Sequence, residues 1–261
     1  VRPAVVQLSA SLDAAANRAA VERALDAVDP AHGPDVVVLP EATMADFGRP
    51  DTDLRPLAEP LDGPFVDLLL RRSRALGATV VAGMFEATDD LPFNTLVVAG
   101  PDGDLVATYR KIHLYDSFGY RESERLAAGD LEPVVVPVGD QTLGLMTCYD
   151  LRFPELARAL VDRGADVLAV PAAWVAGERK LDHWRTLLAA RAIENTVGVV
   201  AAAQCGRGYT GHSMVLDASG VVLAEAEDEP AVLTATLEPE ALRGTRETNP
   251  SLANRRMGVA R

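Results

Sequence analysis

Three side chains in the sequence have the type and the local setting for acyl-transfer chemistry. Cys148 stands in LGLMTCYDLRFPELARAL, where a buried strand ends at the cysteine and a helix follows within a few residues. Such a turn pins the thiol at the carboxyl edge of a sheet, near a helix N-terminus whose positive end favours a thiolate. The backbone N–H of Tyr149 points the same way and could hold an oxyanion. Glu41 ends the apolar run DVVVLPEAT, so its carboxylate sits in poor solvent, a setting for a general base or acid. Lys111 lies in LVATYRKIHLYD. Strand alternation turns one of Arg110 and Lys111 inward, and an inward lysine brings positive charge to an oxyanion. Each residue also has an ordinary reading: a buried structural thiol, a strand-end surface acid, a lysine guarding a sheet edge. Cys205, at the end of VGVVAAAQC and before a glycine-rich loop, keeps the structural reading.

The order and wording of these segments are more specific than any one residue. PEAT around Glu41, YRKIHLYD around Lys111 and CYDLRFPE around Cys148 resemble the Glu-Lys-Cys set of the nitrilase, or carbon–nitrogen hydrolase, superfamily. The spacings of 70 and 37 residues are also similar to that family's. GYRESERLAAGD resembles the family loop that carries a second glutamate, here Glu122. HWRTLLAARAIENTVGVVAAAQCGRGYTGHSMVLDASG resembles its late strand and hairpin region. Within the superfamily the wording is nearest to the Nit-type amidases, omega-amidase and deaminated-glutathione amidase, with VVAAAQCGR and GHSMV leaning to the second.

The resemblance implies a cysteine-dependent amidohydrolase without a cofactor. Cys148 is the nucleophile, Glu41 the base and acid, and Lys111 with the Tyr149 N–H the oxyanion donors; Glu122 positions Lys111. The implied substrate is a small carboxylate-bearing amide cleaved through a thioester with release of ammonia. A nitrile or an N-carbamoyl compound is the alternative within the family, and a non-catalytic binding member the alternative outside it. The segment after PAAW departs from the family, reading VAGERKLDHW, with Glu178, Arg179 and Lys180 in a longer loop. Trp174 and Arg179 are the substrate-binding candidates there. The stretch from Arg207 to Gly211 is shorter than in deaminated-glutathione amidases.

Short strand-like runs alternate with helical patterns, which makes the chain α/β. Helices are expected from Leu12, Val66, Pro154 and His183, and hairpins at Pro101–Asp104 and Asp217–Gly220. DVVVLPEAT at Asp35 reads against DVLAVPAAW at Asp166, each within a helix–strand–helix–strand–hairpin unit. Two such halves about a pseudo-twofold, sheet against sheet with helices outside, make a four-layer α-β-β-α sandwich, the architecture the family resemblance also implies. Glu41 in the first copy corresponds to Ala172 in the second. No linker divides the chain, so residues 1–261 read as one domain, with a charged, irregular segment from Glu238 to Arg261.

Composition narrows the partners. With 25 basic and 38 acidic side chains, the formal charge is −13, without the basic footprint of a nucleic-acid binder or a polybasic membrane segment. Two cysteines make neither a disulfide framework nor a zinc cluster, which suits a reducing, cytoplasmic setting. VRPAVVQLSA reads as a strand rather than a signal peptide, and no apolar run approaches the roughly 18 residues of a membrane span. His32, His113, His183 and His212 are scattered, so no metal is expected; His113 and His212 read as structural. Gly206-x-Gly208-x-x-Gly211 matches a dinucleotide fingerprint but precedes a strand pattern, so no nucleotide cofactor is expected. The resemblance implies a homo-oligomer, at least a dimer, with apolar helical faces as candidate contacts.

Overall fold

The computed structural model describes residues 1–29, 31–206 and 208–257. The opening strand, β1 (Pro3–Gln7), leads to α1 (Ala14–Asp26), started by the Asp13 carboxylate, which accepts from the backbone N–H groups of Ala15 and Ala16. β2 (Val36–Val38) follows, then α2 (Pro64–Leu76), which has proline in its first turn and stops at Gly77 with φ 62°. β3 (Thr79–Glu86), β4 (Phe93–Ala99) and β5 (Leu105–Arg110) complete the first unit, and β6 (Asp116–Ser117) with β7 (Tyr120–Arg121) forms a small separate hairpin. The second unit runs β8 (Val135–Val138), β9 (Gln141–Leu145), α3 (Pro154–Asp162), β10 (Val167–Ala172), α4 (Lys180–Asn195), β11 (Gly198–Ala203), β12 (Met214–Leu216) and β13 (Val222–Glu225). β14 (Ala231–Thr234) and α5 (Pro239–Thr248) close the described chain.

The strands form two large sheets, ordered β14-β1-β2-β3-β4-β5 and β13-β12-β11-β10-β9-β8. Each has three parallel strands at its centre, β1-β2-β3 in one and β9-β10-β11 in the other. On one side of each parallel trio lies an antiparallel hairpin, β4-β5 or β12-β13, and on the other a single antiparallel strand, β14 or β8. α1 and α3 occupy equivalent places in the two units, as do α2 and α4. The internal repeat read from Asp35 and Asp166 is therefore a repeat of topology.

The sheets meet face to face, with β1 and β2 against β11; α1 and α2 cover one outer face, α3 and α4 the other. This is the expected four-layer α-β-β-α sandwich. The layers explain the unbroken apolar runs. In β2, Val36 and Val38 face the second sheet while Val37 faces the helices, so every position is buried.

Two local expectations change. α4 begins at Lys180, three residues before His183, so Lys180 belongs to the first turn rather than to a loop. The segment from Glu238 is not irregular throughout: Pro239–Thr248 is a helix with Leu242 buried, and residues 258–261 lie outside the described residues. Among the described residues no helix is long and apolar enough to cross a membrane.

β3 buttresses the end of β2 at one point where only glycine fits. A Cβ on Gly83 would lie 2.7 Å from both the Ala42 nitrogen and the Glu41 Cα. Gly83 also donates to Pro40 O at 3.1 Å and accepts from Met44 N at 3.2 Å, so it cannot retreat without breaking that turn. Gly83→Ala should therefore cost about 1–3 kcal/mol in urea unfolding. Gly244→Ala, in open space on α5, should be neutral or stabilising by up to about 1 kcal/mol.

Candidate active site

Glu41 follows β2 in a turn whose next residue, Ala42, has φ 55°. The turn is tied to the other sheet by Gln204, just past β11, whose Nε2 donates to Glu41 O at 3.0 Å and Ala42 O at 3.1 Å. Ala173, just past β10, donates its backbone N–H to Glu41 Oε2 at 2.6 Å. Where the first strand end presents a carboxylate, its counterpart in the second unit thus presents a backbone donor to it.

Lys111 follows β5, and the alternation left open by the sequence resolves in its favour. Arg110 turns outward to pair with Glu86 and lie 4.4 Å from the centre of the Phe93 ring. Lys111 turns inward, where Nζ donates to Glu41 Oε1 at 3.0 Å and to Glu122 at 2.9 and 3.1 Å. Glu122 starts a short 3-10 turn after β7, and Oε2 also accepts from Tyr115 N at 2.6 Å. Asn94 on β4 bridges the two acids, donating to Glu41 Oε1 at 2.7 Å and Glu122 Oε1 at 3.2 Å. Burial alone would lower the Lys111 pKa, but Glu122 and Glu41 outweigh it and hold the ammonium well above the usual lysine range.

Cys148 begins a 3-10 turn, Cys148–Arg152, with φ 46°, a left-handed conformation that needs outside support. Asp150 supplies it. Fully buried, it accepts from Thr147 N at 2.9 Å, Tyr109 OH at 2.6 Å and His113 N at 3.1 Å, with His113 Nδ1 2.7 Å away. His113 stacks on Phe153 at 3.8 Å between ring centres and so braces the turn from behind. The Tyr149 N–H lies in the first positions of this turn, where backbone donors have no partner within the turn. The helix that follows does not leave the thiol acidic. Burial pushes its pKa well up, the charge of Glu41 pushes the same way, and Lys111 only partly opposes them. The direction is opposite to the one a helix end alone would give, and burial is its largest cause.

Glu41, Lys111, Glu122 and Cys148 all line one cavity of about 440 Å³. Trp174 lines it too, with Nε1 donating to Lys180 O at 2.9 Å. Arg179 does not. It has φ 58°, is largely exposed and pairs with Asp182 at 2.8 Å, while its neighbour Lys180 and Arg152 of the cysteine turn face the cavity. Cys205 lies outside this cavity, and burial pushes its thiol up to about 11. The Gly206–Gly211 run leads into β12 rather than a helix, and Arg207 within it lies outside the described residues. Among the described residues no group of three His, Cys, Asp or Glu side chains could hold a metal. Asn94 and Asp150 escaped the sequence reading; a lone polar residue opening an apolar strand, and an acid two residues past the cysteine, were the available signals.

A profile of the carbon-nitrogen hydrolase family matches residues 2–247. A deaminated glutathione amidase of Escherichia coli O157:H7 is 44% identical over 221 residues, covering 84% of each chain. A 2-oxoglutaramate amidase of Paenarthrobacter nicotinovorans is 36% identical over 252 residues, covering 92% of this chain and 84% of the relative. The crystal structure of a CN-hydrolase superfamily protein from Xanthomonas campestris, with an arsenic adduct in its active site, superposes with a TM-score of 0.89 at 32% identity, covering 100% of this chain and 99% of that one. With the two-sheet fold, these likenesses make the assignment: the chain belongs to the carbon–nitrogen hydrolase family and is a Nit-type amidase of the nitrilase superfamily.

Proposed function

We propose that this amidase hydrolyses the C–N bond of a small carboxylate-bearing amide through a thioester on Cys148, releasing ammonia. The observation that carries the reading is the buried Glu41–Lys111–Glu122 cluster opening onto the same cavity as the Cys148 thiol. The substrate class is supported by the two amidase relatives, whose names describe amides that carry carboxylates.

The resting charges set the sequence of steps. One ammonium between two carboxylates leaves one net negative charge, so ionising the thiol as well would crowd a second into a dry site. Sγ therefore attacks as its proton leaves. The S–C bond forms, the thiol proton passes to the Glu41 carboxylate, and the carbonyl π pair moves onto oxygen. Lys111 has three hydrogens; Glu41 takes one, Glu122 shares a second between its oxygens, and the third with the Tyr149 N–H receives the oxyanion. When the carbonyl re-forms, the C–N bond breaks and Glu41 returns its proton to the departing nitrogen. Water then attacks the thioester, giving a proton to Glu41. The S–C bond breaks, sulfur recovers the proton, and the carboxylic acid leaves. Glu41 acts as base, acid and base again, and Glu122 keeps the ammonium aligned throughout.

Variant rates, mass spectrometry and absorbance test this scheme. Cys148→Ala should abolish amide hydrolysis while Cys205→Ala keeps most of it, and mass spectrometry of enzyme quenched in turnover should place an acyl group on the Cys148 peptide. Lys111→Met should lower kcat at least ~10²-fold, as for loss of one oxyanion donor, and Glu41→Gln should cost more. The neutral thiol has its own signature. The absorbance near 240 nm that Cys148 contributes, taken as a difference from Cys148→Ser, should not rise until the pH passes the ordinary thiol value of 9.0. A rise near neutrality would mean a preformed thiolate.

A further inference from the structure

The cavity holds two cations that the hydrolytic steps do not use. Lys180, in the first turn of α4, is nearly buried; Nζ donates to Tyr115 OH at 2.9 Å and lies 3.8 Å from the centre of the Phe118 ring. Arg152 ends the cysteine turn. Its guanidinium carbon is 4.9 Å from the Trp174 ring centre, Nη2 is 3.4 Å from His183 Nδ1, and Nε is buried without a hydrogen-bond partner. Among the described residues neither side chain has an Asp or Glu within ion-pair distance. In a chain with 38 acidic and 25 basic side chains, one nearly buried and one partly buried cation left without an acid mark a place kept for an anion from outside. The other basic groups of this region are matched: Arg179 has Asp182 and Arg185 has Glu225.

We propose that Lys180 and Arg152 together receive the distal carboxylate of the substrate, a reading that rests on amide hydrolysis at Cys148. Both face the cavity that holds the thiol, Arg152 from the turn after β9 and Lys180 from the start of α4. Unfilled, they oppose one another. Burial lowers the Lys180 pKa and the charge of Arg152 lowers it further. A carboxylate between them reverses that repulsion, and it is a stronger acceptor for Nζ than the Tyr115 phenol. The aromatic rings of Phe118 and Trp174 lie beside the two cations and offer no charge that competes with a carboxylate for them. Arg179, the nearer guess from sequence, is already satisfied and outside the cavity.

The test compares glutaramate with its methyl ester and reads the ratio of their kcat/KM values. Wild type should prefer the acid. Lys180→Gln, which retains a donor for Tyr115, and Arg152→Met should each collapse that preference about tenfold or more, the loss of one charge-assisted contact. Lys180→Arg should restore most of it, and Arg179→Ala should leave it intact. Calorimetry of glutarate binding to Cys148→Ala protein, with and without Lys180→Gln, reads the same contact without turnover and should show a matching loss of affinity. If wild type hydrolyses neither compound, the amidase substrate reading falls and this assignment with it. If wild type hydrolyses acid and ester alike, or if the preference and glutarate binding survive in both Lys180→Gln and Arg152→Met, amide hydrolysis stands and this assignment is overturned.

Discussion

The ammonium of Lys111 lies between the carboxylates of Glu41 and Glu122, out of reach of solvent, and the rest of the fold serves to make that arrangement tolerable. Moving ions from water into a protein interior costs several kcal/mol each even after relaxation. The cost is met by saturating the cluster with donors. Asn94, the Ala173 backbone and the Tyr115 backbone all point hydrogens at the two acids. These donors come from a strand of the first unit, a strand end of the second and the loop before the small hairpin. No shorter piece of the chain could assemble the set. The cluster adds to the effect of burial on the neighbouring thiol, whose pKa is raised, because one positive charge is shared by two negative ones.

The pseudo-twofold places this cluster at a junction rather than within either unit. β2 and β10 are equivalent strands, and their ends meet where Ala173 donates to Glu41. Gln204, beyond β11, binds the carbonyls of the Glu41 turn and also accepts from Ala10 N at 2.9 Å, so it couples three segments of the two units. A site of this kind inherits the rigidity of two parallel sheet centres, which are buried on both faces. The cysteine turn depends on a different anchor. The left-handed backbone at Cys148 is held by Asp150, whose carboxylate gathers Tyr109, His113 and the Thr147 backbone into one network. Two separately anchored turns thus present a carboxylate and a thiol to one cavity.

The cavity walls divide by charge. The acids of the buried cluster lie with the thiol, and Arg152 and Lys180 bring positive charge from the cysteine turn and from α4. A chain of net charge −13 repels anions at long range, so any anionic substrate depends on such a local reversal of sign to enter. The small β6-β7 hairpin contributes to the same wall, because Tyr115 just before it and Phe118 at its tip both meet the Lys180 side chain.

Much of this was legible in the residues. The apolar runs without alternation announced strands covered on both faces, and the likeness of DVVVLPEAT to DVLAVPAAW announced two equivalent units. Glu41, Lys111 and Cys148 could be named because the order and wording of their segments resemble family motifs, and Glu122 because its loop does. What the residues left open concerns direction and company. Arg110 and Lys111 are interchangeable in composition, and only the register of β5 turned the lysine inward. Arg179 and Lys180 are neighbours of like charge. A left-handed residue ahead of a helix sends the first out to Asp182 and the second into the cavity. The direction of the Cys148 pKa shift is not legible in its own segment, which offers a helix end but neither the burial nor the carboxylate 107 positions earlier in the chain. Periodicity and turn chemistry act over a few residues and can be read along the chain; the charge that surrounds a side chain is set by segments far away in sequence, and only the folded contacts decide it.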